Sequence, residues 1–282
     1  MDWKLKSKVF RALSVTPFGS QLHYQLQKHI TKQWPRPIAV LDNLLIAARK
    51  IYQESEGHHG TFLEIGAGRD LAVAVALRLM GVRQVTCIDV SQLARPELIA
   101  SAAAHMAKRL GVRVPTIRTW HDVEEFGLSY LAPTTLERAA LQPLSIDCFF
   151  SIDTLEHIPP DDLRSVLKAA RRMLKSDGLS IHFIDYGDHY ARGDNGLSRF
   201  NFLTYTQQAW RPFNSPFQYV NRLRHSDFLG LLAEGGMKLI SVEPDRAPPE
   251  PLILDRLAPE FRAYEVADLF TVRAMIVAGV AR

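Results

Sequence analysis

The chain has 282 residues, 47% of them hydrophobic, with 34 Lys and Arg against 30 Asp and Glu, a net charge of +4 and an isoelectric point near 9.1. That length holds one large α/β domain with insertions, and the apolar content supplies an ample core. The basic surplus is too small to specify a nucleic-acid surface, no apolar run has bilayer length, the N-terminus lacks the apolar stretch of a signal peptide, and two cysteines build no disulfide framework.

Residues 1–56 precede the first strand and read as helices broken at Pro17, Pro35 and Pro37, with residues 38–51 the most periodic. This helical segment is expected to roof the site. On a helix Leu5, Val9 and Leu13 share one side while Lys4, Lys8 and Arg11 fall elsewhere. The expectation is that this stripe packs on the core; the alternative is peripheral membrane contact through residues 3–13. From residue 57 to 282 strand and helix signals alternate, the pattern of a parallel sheet covered on both faces. Strands are expected at 61–65, 85–90, 114–120, 146–151, 179–185, 237–242 and 269–278. Helices are expected at 70–80 and 96–110, closed by Gly81 and Gly111, after Pro159 and Pro160, and at 226–234 with Ser226 as N-cap. Cys87 and Cys148 fall inside expected buried strands, which suits small core residues in a reducing compartment, hence a cytoplasmic protein. The long stretch 187–225 is rich in aromatics and reads as a lid or substrate-binding insertion. Ala247-Pro248-Pro249-Glu250-Pro251 starts what reads as a surface connection before the last strand.

The chemistry concentrates at Thr61-Phe62-Leu63-Glu64-Ile65-Gly66-Ala67-Gly68-Arg69-Asp70, where an apolar strand enters a glycine turn that opens a helix. Gly66 and Gly68 allow backbone N–H groups to approach a ligand at a helix N-terminus. A dinucleotide fingerprint would carry a third glycine where this chain has Leu71. Glu64 would repel a pyrophosphate but would attract an ammonium group. Asp89, ending the second strand about 20 residues on, has the spacing at which a carboxylate accepts ribose hydroxyls. The ligand thus carries an amine and a ribose.

Leu63-Glu64-Ile65-Gly66-Ala67-Gly68 and Ile88-Asp89 resemble the first two motifs of the class I S-adenosylmethionine-dependent methyltransferases. The run from Asp147 to Ile158, with Ser151-Ile152-Asp153 and Glu156-His157, is similar to the family's fourth motif, and Leu174-Lys175-Ser176-Asp177-Gly178-Leu179 to its turn into the fifth strand. The resemblance spans roughly residues 61–186 and implies a Rossmann-like, doubly wound, seven-stranded sheet, mostly parallel with an antiparallel strand near the C-terminus. It implies S-adenosylmethionine as cofactor, held by Glu64, Gly66, Gly68 and Asp89, with Ser151 and Ile152 along its methionine portion and Asp122, placed after the expected third strand, on the adenine amine. It also disfavours nucleobase N-methylation, since Ser151-Ile152-Asp153-Thr154 stands where an Asn/Asp-Pro-Pro-Tyr/Phe motif would be expected.

Ligands of open α/β sheets bind outside the carboxyl ends of the strands, which makes Ser151, Ile152, Asp153, Glu156 and His157 after the fourth strand, and Asp185, Asp188, His189 and Tyr190 after the fifth, the candidates. His189 is the first choice as general base with Asp185 or Asp188 orienting it, and His157 the second; the competing reading is that they position loops. His182, inside a strand, reads as a satisfied core residue. Asp188, Tyr190, Asn221, Arg222 and Arg224 are candidate substrate contacts, the arginine forks suiting a phosphate or carboxylate or, equally, internal ion pairs. Asp185, Asp188, His189 and His157 fit no recognised ligand spacing, so no metal is expected. The leading function is O-methylation of a small-molecule or glycan-linked hydroxyl. The alternatives are a nicotinamide-dependent oxidoreductase and a non-catalytic binding module.

Overall fold

The computed structural model describes residues 2–194 and 196–281. One seven-stranded sheet organises them, in the order β3-β2-β1-β4-β5-β7-β6. The strands are β1 (Thr61–Ile65), β2 (Gln84–Ile88), β3 (Leu128–Leu131), β4 (Ile146–Ile152), β5 (Leu174–Asp185), β6 (Met237–Arg246) and β7 (Thr271–Val280). Only β7 runs against its neighbours, pairing antiparallel with β5 and β6, as the sequence implied. The order reverses between β1 and β4, and a ligand crevice opens at such a switch point.

Alternation along the strands builds two cores. Phe62, Val85, Cys87, Cys148, Phe150 and Ile181 face one way, under α3 (Ile38–Glu54), α4 (Ala72–Leu79) and α5 (Pro96–Leu110). Leu63, Phe149, Ile184 and Ile276 face the other, under α7 (Pro160–Met173) and α9 (His225–Glu234). The first helix of the second group owes its position to a stripe of Leu163, Val166, Leu167 and Ala170, with Asp161 and Asp162 in its first turn at the positive end of the dipole. Both cysteines are free and buried. His182 is fully buried between Ser151 Oγ (2.8 Å) and Ser180 Oγ (2.7 Å), the satisfied core histidine its place in the strand suggested.

A third, smaller cluster joins segments far apart in sequence. Tyr190, Phe200, Phe202 and Trp210, the last in the short α8 (Gln207–Trp210), pack with Ile253, Phe261 and Phe270. Trp3 of α1 (Trp3–Ser14) enters the same cluster, its ring centroid 4.7 Å from Phe213 and 5.8 Å from Trp210. The aromatics of the insertion are thus a satellite core. The stretch after the prolines is likewise no mere surface connection, because Ile253, Ala258 and Phe261 are buried in it.

The expected third strand at 114–120 is corrected. Pro115 removes a ladder donor in the middle of that run, and Thr119 and Asp122 instead form a reciprocal capping box that starts α6 (Trp120–Glu125). The strand lies after Gly127, where Leu128 pairs with Val85 and Leu131 with Ile88. The cap of α9 also differs from expectation: Arg224 occupies it, its N–H donating 2.7 Å to Asp227 Oδ2.

Candidate active site

The glycine turn forms at the carboxyl end of β1. Gly66 (φ 71°) and Gly68 (φ 73°) lie in the left-handed region, and the Gly66 N–H donates to the Ile88 carbonyl at 2.9 Å. A methyl group at Gly66 would overlap Thr154, and one at Gly68 would lie 3.2 Å from Arg36 Nη2. The turn is therefore walled by the loop after β4 on one side and by the N-terminal segment on the other. Arg36 Nε donates 2.7 Å to Asp70 Oδ2. Arg69 and Arg95 both lie over Tyr24, 4.6 and 4.4 Å from its ring centroid. These contacts bring α2 (Gly19–His29) and the chain after it against the turn.

Three buried carboxyls converge here with less positive charge than they would need. Glu64 is 3% exposed, and burial together with neighbouring Asp70 pushes its pKa up to about 8. Asp89, also buried, rises to about 6 for the same first reason, against hydrogen bonds that include the Ser91 N–H. Asp70 keeps one oxygen, Oδ1, without a partner. Such a set suits a ligand that brings an ammonium group and hydroxyl donors.

A second cluster occupies the carboxyl ends of β4 and β5. Asp153 follows β4 with a positive φ of 48°, its Oδ2 accepting from Arg273 Nη2 at 3.0 Å. Glu156 is buried with neither carboxylate oxygen hydrogen-bonded, and burial followed by the charge of Asp153 raises its pKa far above the usual range. His157 Nδ1 donates to the Tyr219 carbonyl at 2.6 Å, which leaves Nε2 with its lone pair. The His157 and His189 rings meet edge to face, 4.8 Å between centroids. His189 Nε2 is buried, makes no hydrogen bond and lies 3.9 Å from Asp185 Oδ2. That oxygen takes Arg192 Nη2 at 2.5 Å, while Oδ1 takes the Gly187 N–H at 2.7 Å. Against its burial, these contacts hold Asp185 below the usual carboxylate range. Burial, then Arg192 and His157, push His189 down to about 3, so its ring is neutral. Beyond the pair lies a cavity of about 320 Å³ lined in part by Asp185, His189, Arg192, Arg199 and Glu250.

The fold is that of a solved methyltransferase. Residues 63–182 match the family model for a methyltransferase domain. Magnesium protoporphyrin IX methyltransferase from Synechocystis PCC 6803, solved with bound SAH, is similar at a TM-score of 0.52 and 10% identity, over 98% of this chain and 99% of that one, which is a likeness of fold. A SAM-dependent methyltransferase from Methanosarcina mazei aligns at a TM-score of 0.48 and 14% identity, over 78% of this chain and 92% of that one. No curated protein sequence matches. Residues 63–182 thus resemble a methyltransferase domain, on the fold seen in a solved methyltransferase.

Within the matched region, Glu64, Gly66, Gly68 and Asp89 come together at the carboxyl ends of β1 and β2, and half-buried Ile152 ends β4 beside them. These residues fit S-adenosylmethionine in kind: the glycine turn leaves room for a ligand against its backbone, and the carboxyls would accept an ammonium and hydroxyl donors. Ser151 does not, because its hydroxyl is fully buried against His182. Asp122 is corrected too. It precedes β3 rather than following it, and its Oδ2 accepts the Arg118 and Thr119 N–H groups at 2.8 Å each.

His157, Asp185 and His189 are brought together, but the expected substrate contacts are largely spent inside the fold. Asp188 accepts from the Tyr190 N–H and from Asn201 Nδ2, and the Tyr190 hydroxyl donates 2.6 Å to the Phe213 carbonyl. Asn221 Nδ2 donates to the carbonyls of Leu155 and Ile158, so it shapes the loop that carries Glu156 and His157. Arg222 reaches the carbonyls of Phe202 and Tyr205 and the Gln207 side chain. Arg224, fully buried, donates to the carbonyls of Tyr186, Leu269 and Thr271. Except for Asp188, which also lines the cavity, these side chains fasten the insertion. Sequence reading placed Glu156 among the candidates after the fourth strand without giving it a role, and passed over Arg192 and Arg199, which line the cavity. The spacing of Asp185 and Arg192 on a turn was the available signal for the latter.

Glu156, His157 and His189 also place one ligand atom each within 4.8 Å of one another. Ligands of a tetrahedral zinc stand about 3.4 Å apart, given bonds of about 2.1 Å. Among the described residues no hydrogen bond joins the three: His157 is held by the Tyr219 carbonyl, and the Glu156 carboxylate and His189 Nε2 have no partner.

Proposed function

We propose that this protein is an S-adenosylmethionine-dependent O-methyltransferase acting on a hydroxyl of a small-molecule or glycan-linked substrate. The observation that carries the reading is the contact of Gly66 with Thr154, which sets the cofactor turn against the loop bearing Asp153, Glu156 and His157. S-Adenosylmethionine supplies an electrophilic methyl group when bound. Glu64 meets its ammonium and Asp89 its ribose, while segment 1–56 covers the turn and insertion 187–225 walls the acceptor side.

The acceptor oxygen forms a bond to the methyl carbon as the carbon–sulfur bond breaks, in line, and the hydroxyl proton passes to an imidazole. The proposal gives that proton to His157 Nε2. Its other nitrogen is held as a donor by the Tyr219 carbonyl, and the residue is exposed at the crevice. His189, whose pKa near 3 makes it a weak base, is a neutral neighbour that fixes the His157 ring, and Asp185 positions His189 and Arg192. The cavity beside them, with Arg192 and Arg199 facing Asp185, Asp188, Asp194 and Glu250, offers donors and acceptors that suit a polyhydroxylated acceptor such as a sugar.

The test is transfer of labelled methyl from S-adenosylmethionine to a panel of sugar, glycan and phenolic hydroxyls, with the product position assigned by mass spectrometry and NMR. O-methyl products are expected. Transfer only to nitrogen or carbon would overturn the acceptor assignment, and calorimetry showing no binding of S-adenosylmethionine would overturn the whole reading.

A further inference from the structure

Among the described residues, nothing packs on one apolar face of the two N-terminal helices. Trp3 and Ser7 of α1, and Gly19 and Tyr24 of α2, turn inward and are buried. Of the stripe Leu5, Val9 and Leu13, expected to pack on the core, Leu5 and Val9 face outward and Leu13 is half-buried. At the connection between the helices Val15 is 79% and Phe18 75% exposed, and Leu22 and Ile30 continue the exposed row, Ile30 at 71%. Phe18, Leu22 and Ile30 recur at multiples of four, which is one helix side and its continuation.

Charge follows the same segment. Seven Lys and Arg residues and a single acid, Asp2, precede Ile38, a net +6 where the whole chain is +4, so the remaining residues are net −2. Lys8, Lys28 and Lys32 are exposed on these elements beside the apolar row. A basic, amphipathic helical hairpin with apolar side chains at its bend suits the boundary between acyl chains and anionic headgroups. A protein partner would also cover apolar area, but the excess of exposed cations around the row favours an anionic surface.

We infer that the α1–α2 hairpin is a docking surface for an anionic phospholipid bilayer, with Val15 and Phe18 entering the acyl boundary and Lys8, Lys28 and Lys32 meeting the headgroups. The inner face of the same hairpin touches both parts of the active site. Trp3 is packed on Tyr190, 5.4 Å between centroids, and Tyr24 lies under Arg69 of the cofactor turn. A docked hairpin therefore holds the crevice next to the membrane, where a lipid-linked acceptor would present its hydroxyl. That last consequence rests on the function proposed above; the docking surface itself does not.

The test is sedimentation of the full chain with vesicles of phosphatidylcholine alone and of phosphatidylcholine mixed with phosphatidylglycerol. Bound protein should be about tenfold higher on the anionic vesicles and should fall as salt is raised. Val15→Ser with Phe18→Ser should reduce binding about tenfold, and Lys8→Glu with Lys28→Glu should abolish the preference for anionic vesicles. These side chains are exposed, so near-ultraviolet circular dichroism should be unchanged. Equal, negligible binding to both vesicles would overturn the inference, as would anionic binding that all four substitutions leave intact. A wild-type dimer in sedimentation velocity that Phe18→Ser dissolves would assign the face to a second copy. Binding is read without methyl donor or acceptor, so a failure here and a failure of the methyltransferase reading are separately visible.

Discussion

Glu64 and Asp70, on either side of the glycine turn, are buried together, and Arg36 reaches only the second of them at hydrogen-bond distance. The pairing raises the pKa of Glu64 to about 8, burial first and Asp70 second. At neutral pH the free protein thus holds Glu64 protonated, and an incoming ammonium stabilises the ionised form. Binding of S-adenosylmethionine should release about one proton at pH 7, and the release should vanish as the pH passes above 8. Calorimetry in buffers of different ionisation enthalpy measures it. Glu64→Gln should weaken binding about ten- to a hundredfold and remove the proton release; release that persists in this variant would place the titrating group elsewhere.

The same shift has a stability consequence in the absence of ligand. The folded pKa of Glu64 lies above its unfolded value of 4.5, so folding binds the proton, and the stabilisation is complete below 4.5 and lost as the pH rises through 8. His182 works in the opposite window. Burial lowers it to about 3 from 6.5, so its contribution is complete above 6.5 and is lost as the pH falls toward 3. Melting curves should show Glu64→Gln removing a fall in stability between pH 4.5 and about 8, with the range below 4.5 unchanged. A change confined to pH below 4.5 would contradict the assignment.

His157→Gln should lower kcat by about a hundredfold or more, with little change in melting temperature, since the residue is exposed and a general base contributes on that order. His189→Asn, acting through its neighbour, should cost about tenfold or less. The reverse ranking would return the base to His189.

Leu71 opens α4 with φ 48° and ψ 34°, a left-handed conformation for a fully buried leucine. The backbone strain is worth about 1–3 kcal/mol, and the side chain's burial about 2–5 kcal/mol against alanine. Leu71→Ala keeps the strain and loses the packing, whereas Leu71→Gly loses slightly more packing and relieves the strain. Denaturant unfolding should therefore find the glycine variant at least as stable as the alanine variant, against the usual ordering. A glycine variant less stable by about 1 kcal/mol, as in a helix interior, would show that no strain is stored there.

Arg224 donates to three backbone carbonyls from a fully buried position. Arg224→Ala leaves those acceptors without donors and should destabilise the fold by about 3–5 kcal/mol. Arg199→Ala, on the exposed wall of the cavity, should leave the melting temperature unchanged and raise KM for the acceptor. An unchanged KM would remove that role.

What the sequence by itself determined is what local periodicity encodes. The glycine turn with Glu64 before it, Asp89 at the end of the next strand and the apolar alternation of six strands follow from neighbours within a few residues, and so does the helix 96–110. The displaced third strand was legible as well, through Pro115 and the Thr119 and Asp122 cap, but an alternation that looked like a strand outweighed those signals. Tertiary structure decided the rest, because a polar side chain's role depends on which donors and acceptors reach it across the fold. Arg222, Arg224 and Asn221 look like ligand grips in a motif and become fasteners once distant carbonyls lie within 3.1 Å of them. Likewise, Leu5 and Val9 have core spacing, yet only the docking of Trp3 and Ser7 turned that stripe outward.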